Sequence, residues 1–232
     1  MNGNLNLIVM LTYEDQTVSN AHDIFEQCKD AKAQYWGMKE KSLPLEQMKA
    51  LYAYMKACGK TTVLEVVAYT EPDCLEGARM AAACGCDILM GTIFFDSVQN
   101  FCQAHGIRYM PYVGQVTGCP SVLSGSAEDM IREAEEYLNK GVYGFSLLGY
   151  RYTEDAEALN QEFVSRISAP VCIAGSINSY ARLDALKQVR PWAFTIGGAF
   201  FDTKFGSDFR EQIDAVCEYC QDAERLASGY QG

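Results

Sequence analysis

Residues 170–205 read PVCIAGSINSYARLDALKQVRPWAFTIGGAFFDTKF. Two short β-rich runs, PVCIA and WAFTI, each end in a glycine-containing turn, with a helical pattern, SYARLDALKQV, between them. Strand, crossover helix and strand make a unit whose strands are parallel. Outward from this unit the same alternation fills the chain. Candidate strands begin near Leu5, Ala33, Thr61, Asp87, Ile107, Val142, Pro170 and Trp192, with start-to-start spacings of 20 to 35 residues. The intervening helices carry start and stop signals. SLPLEQ opens one with Ser42 or its neighbour as cap and Pro44 in the first turn, and that helix stops at Gly59. The others whose ends can be read have Pro72 early and stop at Gly85, run from Asp96 to Gly106, and run from Ser126 to Gly141. Eight repeats favour a closed barrel over an open sheet, and the first turn, TYEDQT, lacks the glycines a dinucleotide-binding sheet needs there. The expected fold class is α/β, a single (β/α)8 barrel over residues 1–232, close to the roughly 250 residues typical of that fold.

The balance of 19 basic against 30 acidic residues gives a net charge of −11. Without a Lys/Arg cluster, nucleic acid and anionic membranes are excluded as principal partners. No apolar run approaches the roughly 18 residues of a membrane span, and MNGNLNLIVMLTYEDQ has no basic segment before its short apolar run, so a cytoplasmic protein is expected. The ten cysteines fall inside apparent helices and strands, which points to reduced thiols. The close pairs Cys84/Cys86 and Cys217/Cys220 lack the further ligands a structural zinc site requires, and no metal is expected. Nothing specifies a partner face, although a homodimer through the outer helices suits such barrels.

In a parallel barrel the site forms where strands end and helices begin. At the ends of the last two strands, Gly175, Ser176 and Ile177 face Gly197, Gly198 and Ala199. Glycine lets backbone approach an anion closely, and a helix start offers free N–H groups, so the two turns together describe a phosphate cup. Two charged residues interrupt apolar strands, Lys39 in YWGMKE and Glu65 in VLEVVAY, and adjacent strands make them neighbours. Such a pair either plugs the barrel mouth or performs chemistry. In the second case burial is expected to depress the Lys39 pKa, making it a proton shuttle or an imine-forming nucleophile beside a carboxylate base. Tyr112, Gln115 and Arg151 are candidate substrate or lid residues at the mouth. Glu14 and Asp15 suit either acid–base work or a first helical turn. GQVTGCPSVLSGS, from Gly114 to Ser126, is the best lid candidate.

Residues 170–205 resemble the closing quarter of ribulose-phosphate-binding barrels, especially the histidine-biosynthesis sugar isomerases and the N-acetylmannosamine-6-phosphate epimerases. The resemblance implies phosphate binding by Gly175–Ile177 and Gly197–Ala199. It stops short of the chemistry. The isomerases carry aspartates in the first and fifth strands, where this chain reads LIVMLTYED and RYMPYVGQ, and the epimerases carry a glutamate in the seventh-strand turn, where this chain has Ala174-Gly175. The expected function is therefore isomerase, epimerase or lyase chemistry on a small phosphorylated carbohydrate or related metabolite, without metal, using Lys39 and Glu65. The alternatives are an FMN-dependent oxidoreductase seating the flavin phosphate in the same cup, and a non-catalytic phosphometabolite-binding protein.

Overall fold

The computed structural model describes residues 5–228. Eight parallel strands form one sheet: β1 (Asn6–Met10), β2 (Tyr35–Lys39), β3 (Thr61–Val66), β4 (Ile88–Gly91), β5 (Arg108–Met110), β6 (Phe145–Leu147), β7 (Val171–Ile173) and β8 (Ala193–Ile196). All eight strands expected from the alternation are present. The strands pair in chain order, and β8 pairs with β1. The remaining seam closes through a parallel bridge between Tyr112 and Ser146, with Ser146 N–H donating to Pro111 O at 3.0 Å. Following the register once round the sheet displaces the chain by eight residues, the stagger that eight strands need to close.

Period-two alternation sorts each strand into two faces. Ile8, Met10, Val63, Ile88, Met90, Met110, Cys172 and Ala193 fill the barrel interior, and Tyr35, Tyr143 and Trp192 pack against them, with Trp192 edge-on to both tyrosines. Leu7, Val9, Trp36, Met38, Leu64, Val66 and Leu89 point outward and are buried in the larger cluster shared with the helices. That layer comprises α1 (Ala21–Cys28), α2 (Leu45–Ala57), α3 (Glu71–Ala83), α4 (Asp96–Ala104), α5 (Ala127–Asn139), α6 (Ala156–Arg166), α7 (Tyr180–Val189), the single-turn α8 (Gly198–Phe201) and α9 (Phe209–Ser228). Each fully buried large apolar side chain contributes about 1.5–3 kcal/mol to this double core.

Local chemistry sets the helix ends. Ser126 Oγ and Thr70 Oγ1 accept from the N–H groups of Asp129 and Asp73, which caps α5 and α3. The expected stops Gly59, Gly85, Gly106 and Gly141 all have positive φ. The start of α2 differs from expectation. Pro44 is the N-cap, its carbonyl accepting from Gln47 and Met48, while Ser42 sits at φ 86° and donates to the Gln16 side chain at 2.9 Å. The cap is thus a backbone carbonyl two residues beyond the serine. All ten cysteines are free. Among the described residues no helix is long and apolar enough to cross a membrane, and no three His, Cys, Asp or Glu side chains are grouped to hold a metal ion.

At the opposite end of the barrel from the glycine turns, Asp87 accepts from both the N–H and the hydroxyl of Thr62, each at 2.8 Å, and its own N–H donates to Thr62 Oγ1. Burial alone would raise this carboxyl. The two Thr62 bonds and Lys56 outweigh it and hold the pKa below the ordinary aspartate range. Asp87→Ala strands the fully buried Thr62 groups and is expected to cost about 2 kcal/mol in a urea titration. The Asp87 contribution is present above the unfolded carboxylate pKa and is lost as pH falls through the lower folded value. The wild-type and variant curves should therefore converge in acid.

Candidate functional site

The carboxyl ends of the strands surround a cavity of about 370 Å³. β2 and β3 pair with Lys39 directly opposite Glu65, on the inward-facing positions of both strands. Their side chains are 12% and 11% exposed, and Lys39 Nζ lies 3.9 Å from Glu65 Oε2. Tyr112, on the chain just after β5, donates its buried hydroxyl to Glu65 Oε1 at 3.2 Å. Burial, reinforced by the Glu65 charge, pushes the Tyr112 hydroxyl well above its usual range, so it remains a donor.

A third carboxylate joins the pair. After β1 the chain folds into a small antiparallel ribbon, Thr12–Tyr13 against Gln16–Thr17, whose turn residues Glu14 and Asp15 have φ 48° and 61°. Two successive left-handed residues make the tight turn that matches strand twist. They are not in a first helical turn, since α1 begins only at Ala21. This turn aims Asp15 into the cavity, where Oδ1 accepts from Lys39 Nζ at 2.7 Å. Arg151 Nη2, from the segment after β6, lies 3.7 Å from the same oxygen.

This arrangement corrects the expectation that burial depresses the Lys39 pKa. Desolvation does act in that direction, but the Glu65 charge and the Asp15 hydrogen bond outweigh it, and the pKa lies above the ordinary lysine value. Asp15 is shifted the opposite way. Burial would raise it, but Lys39 and Arg151 hold it below the usual carboxylate range. Lys39 is therefore an ammonium at neutral pH.

The two glycine turns form another wall of the same cavity, which Gly175, Ser176, Ile177, Gly197, Gly198 and Ala199 all line. Gly175 and Ser176 have φ 99° and 44°, so the turn after β7 is left-handed at consecutive residues. Gly197 is required by close packing, because a Cβ there would lie 2.7 Å from Thr12 Oγ1. Gly198 begins α8 in open space, and its Cβ position meets only the Tyr13 ring, at 3.7 Å and beyond. In this single turn Phe200 N–H already donates to Gly197 O at 3.0 Å, which leaves the Gly198 and Ala199 N–H groups as the donors of α8 at this wall.

Tyr112 and Arg151 line the cavity, and Gln115 does not. The lid segment forms a second ribbon, Gln115–Thr117 against Val122–Ser124, in which Val116 is buried while Gln115 and Thr117 face outward. Gln115 lines a separate groove with Asp129 and Glu133. The ribbon tip is pinned across the mouth. Tyr69, following β3, donates to Gly118 O at 3.0 Å and shares a 2.8 Å hydrogen bond with Ser121 Oγ, and Arg151 Nη1 lies 3.4 Å from Ser121 O. Pro120 and Ser121 thereby join the cavity lining.

No family model and no curated protein matches the sequence. Solved structures do match. The N-acetylmannosamine-6-phosphate 2-epimerase from Clostridium perfringens superposes with TM-score 0.62 at 14% identity, over 84% of this chain and 86% of that one. The N-(5'-phosphoribosyl)anthranilate isomerase from Pyrococcus furiosus gives 0.64 at 13%, over 94% and 99%. Orotidine 5'-phosphate decarboxylase from Pyrococcus horikoshii OT3 gives 0.65 at 13%, over 93% and 99%. The likeness seen in residues 170–205 thus extends over the whole fold. At such identities it fixes the architecture alone, a (β/α)8 barrel, and the reaction rests on the chemistry of the site.

Proposed function

We propose that the protein is an enzyme of the isomerase, epimerase or lyase type acting on a small phosphorylated carbohydrate or related metabolite. The observation that carries this reading is that one cavity holds both the glycine cup and the Lys39–Glu65 pair. The phosphate seats against Gly175–Ile177 and Gly197–Ala199, with backbone N–H groups as donors. The reacting carbons then extend toward β2 and β3. Glu65, oriented by the Tyr112 hydroxyl, takes a proton from the carbon beside a carbonyl. The Lys39 ammonium stabilises the oxyanion as electron density moves onto oxygen. When the hydroxyl proton of that carbon passes to the oxyanion and the carbon-bound proton returns to the former carbonyl carbon, the product is an isomer. Return to the opposite face of the original carbon gives an epimer, and expulsion of a β-substituent gives a lyase product.

The raised pKa of Lys39 favours this route over an imine, which requires the neutral amine. Treatment with borohydride in the presence of a turned-over substrate is expected to leave Lys39 unmodified by mass spectrometry. A reduced adduct on Lys39 selects the imine route instead. No metal or cofactor enters the proposal. The first measurement is a thermal-shift screen against sugar phosphates, inorganic phosphate and FMN, after the visible spectrum of the purified protein is recorded. A ligand at about 100 times its Kd adds about 2.7 kcal/mol to the folded state, which is several degrees in Tm for a chain this size. At least one sugar phosphate should produce that shift. A flat response from all of them removes the cup from the argument, and a yellow protein redirects it to flavin chemistry.

A further inference from the structure

Lys39 and Arg151 arrive from opposite sides of the barrel, one at the end of β2 and the other just after β6, yet both converge on the single oxygen Asp15 Oδ1, at 2.7 and 3.7 Å. Asp15 reaches that point on a two-residue turn that holds two non-glycine residues at positive φ. Such a conformation is disfavoured for ordinary side chains, although Asp tolerates it better than most. Of the remaining polar neighbours of this cluster, Glu65 is already engaged by Tyr112 and Lys39, and Ser121 O meets the other Arg151 nitrogen. Asp15 is the one acid in the cluster carried on an excursion of the chain rather than on a barrel strand.

We infer that Lys39 and Arg151 form a second anion subsite in the cavity, that Asp15 is its resident counter-ion, and that the ligand carries a carboxylate-sized anionic group in addition to its phosphate. The inference rests on the phosphate-cup reading and adds the ligand's second charge to it. A lone guanidinium at a mouth is usually a solvated rim charge. Here the guanidinium shares one carboxylate oxygen with an ammonium that is 12% exposed. That is the geometry of a site built for an acid group rather than a rim charge meeting water. A ligand carboxylate replaces the Asp15 oxygen between the two cations, and the turn carrying Asp15 swings outward without disturbing any barrel strand. The exchange trades one carboxylate for another, so the cations are never left unpaired in a partly buried place. The same exchange disfavours neutral groups, which would leave Arg151 without its carboxylate and Lys39 with Glu65 alone.

Two matched probes and three variants decide the matter. 3-Phosphoglycerate and glycerol 3-phosphate share a three-carbon skeleton and a phosphate, and differ in carrying a carboxylate or a hydroxymethyl group. In calorimetric titration of the whole protein, 3-phosphoglycerate is expected to bind about tenfold more tightly, the size of one charge-assisted contact. Arg151→Gln should collapse that ratio toward one, and Asp15→Asn should widen it. Equal affinities in the wild type, with Arg151→Gln having no effect, overturn the subsite and leave the cup standing. If neither probe binds the wild type, the cup reading fails, and the subsite is then judged by the third variant alone. Asp15→Ala is expected to melt lower than the wild type and to be restored by acetate in a saturable way that the wild type does not show. Absence of that rescue overturns the subsite independently of the cup.

Discussion

Gly198→Asp is expected to weaken binding of any phosphorylated ligand by at least a hundredfold while leaving the fold intact. The position tolerates a side chain, because a Cβ there meets only the Tyr13 ring at ordinary contact distance. An acid in the first turn of a helix also suits the positive end of its dipole, so the Tm should change by no more than about 2 °C. Binding is another matter. The new carboxylate faces a phosphate of charge about −1.5 to −2 across a few ångströms, and at an effective dielectric constant near 20 the repulsion is several kcal/mol. A hundredfold loss needs only about 2.7 kcal/mol. Gly198→Ala supplies the control, since it adds the methyl group without the charge and should lose only a few-fold. Titration of both variants with the best ligand from the thermal screen reads the result. If Gly198→Asp binds like the wild type, the phosphate sits elsewhere and the cup is only a pair of barrel turns.

The eight strands were legible because each writes the same signal, a short apolar run followed by a helical pattern, four of which stop at a glycine. The cup was legible because Gly175 and Gly197–Gly198 recur at equivalent places on consecutive strands. Lys39 and Glu65 stood out as charges inside apolar runs, and the register places them opposite each other. The role of Asp15 was not legible. It lies in a polar stretch, TYEDQT, where nothing in composition separates a ribbon turn from a helix start, and only the two positive φ values reveal which it is. Its influence contributes to the error over Lys39. Burial and the neighbouring Glu65, whose charge is the larger opposing influence, could be inferred from sequence, whereas the second counter-ion, delivered from 24 residues earlier in the chain, could not. Gln115 belongs to the lid ribbon but does not line the cavity, for a related reason. Strand ends point into a barrel mouth, but the segment after Gly114 forms its own ribbon, whose alternation buries Val116 and turns Gln115 away.

Glu65→Gln and Lys39→Met are each expected to lower kcat by about a thousandfold, within the range that positioned acid–base groups supply. Glu65→Gln keeps the shape of the side chain and an oxygen to accept from Tyr112, but removes the base, so stability should stay near that of the wild type. Lys39→Met removes the cation and leaves two partly buried carboxylates facing each other. It should cost about 2 kcal/mol, less than a fully buried pair would because Asp15 is 30% exposed. The pH dependence of that cost has a defined sign. The raised pKa of Lys39 keeps its contribution intact from neutral pH up to the unfolded lysine value, and it is lost as pH rises from there through the folded value. The lowered pKa of Asp15 keeps its contribution above the unfolded carboxylate range, and it fades as pH falls. The stability gap between wild type and Lys39→Met should therefore be widest around neutrality and narrow in acid, where the carboxylates no longer need a partner. Glu65→Gln should retain phosphate-ligand affinity within a few-fold, since the cup is on a different wall, whereas Lys39→Met also removes one cation of the second anion subsite and should weaken a carboxylate-bearing ligand. The double variant should be scarcely slower than either single one, because a base without its oxyanion partner, or the reverse, already forfeits the proton transfer. A Lys39→Met protein that loses the stability but keeps full turnover makes the pair a plug for the barrel mouth, and the catalytic proton must then be moved by another group on the cavity wall.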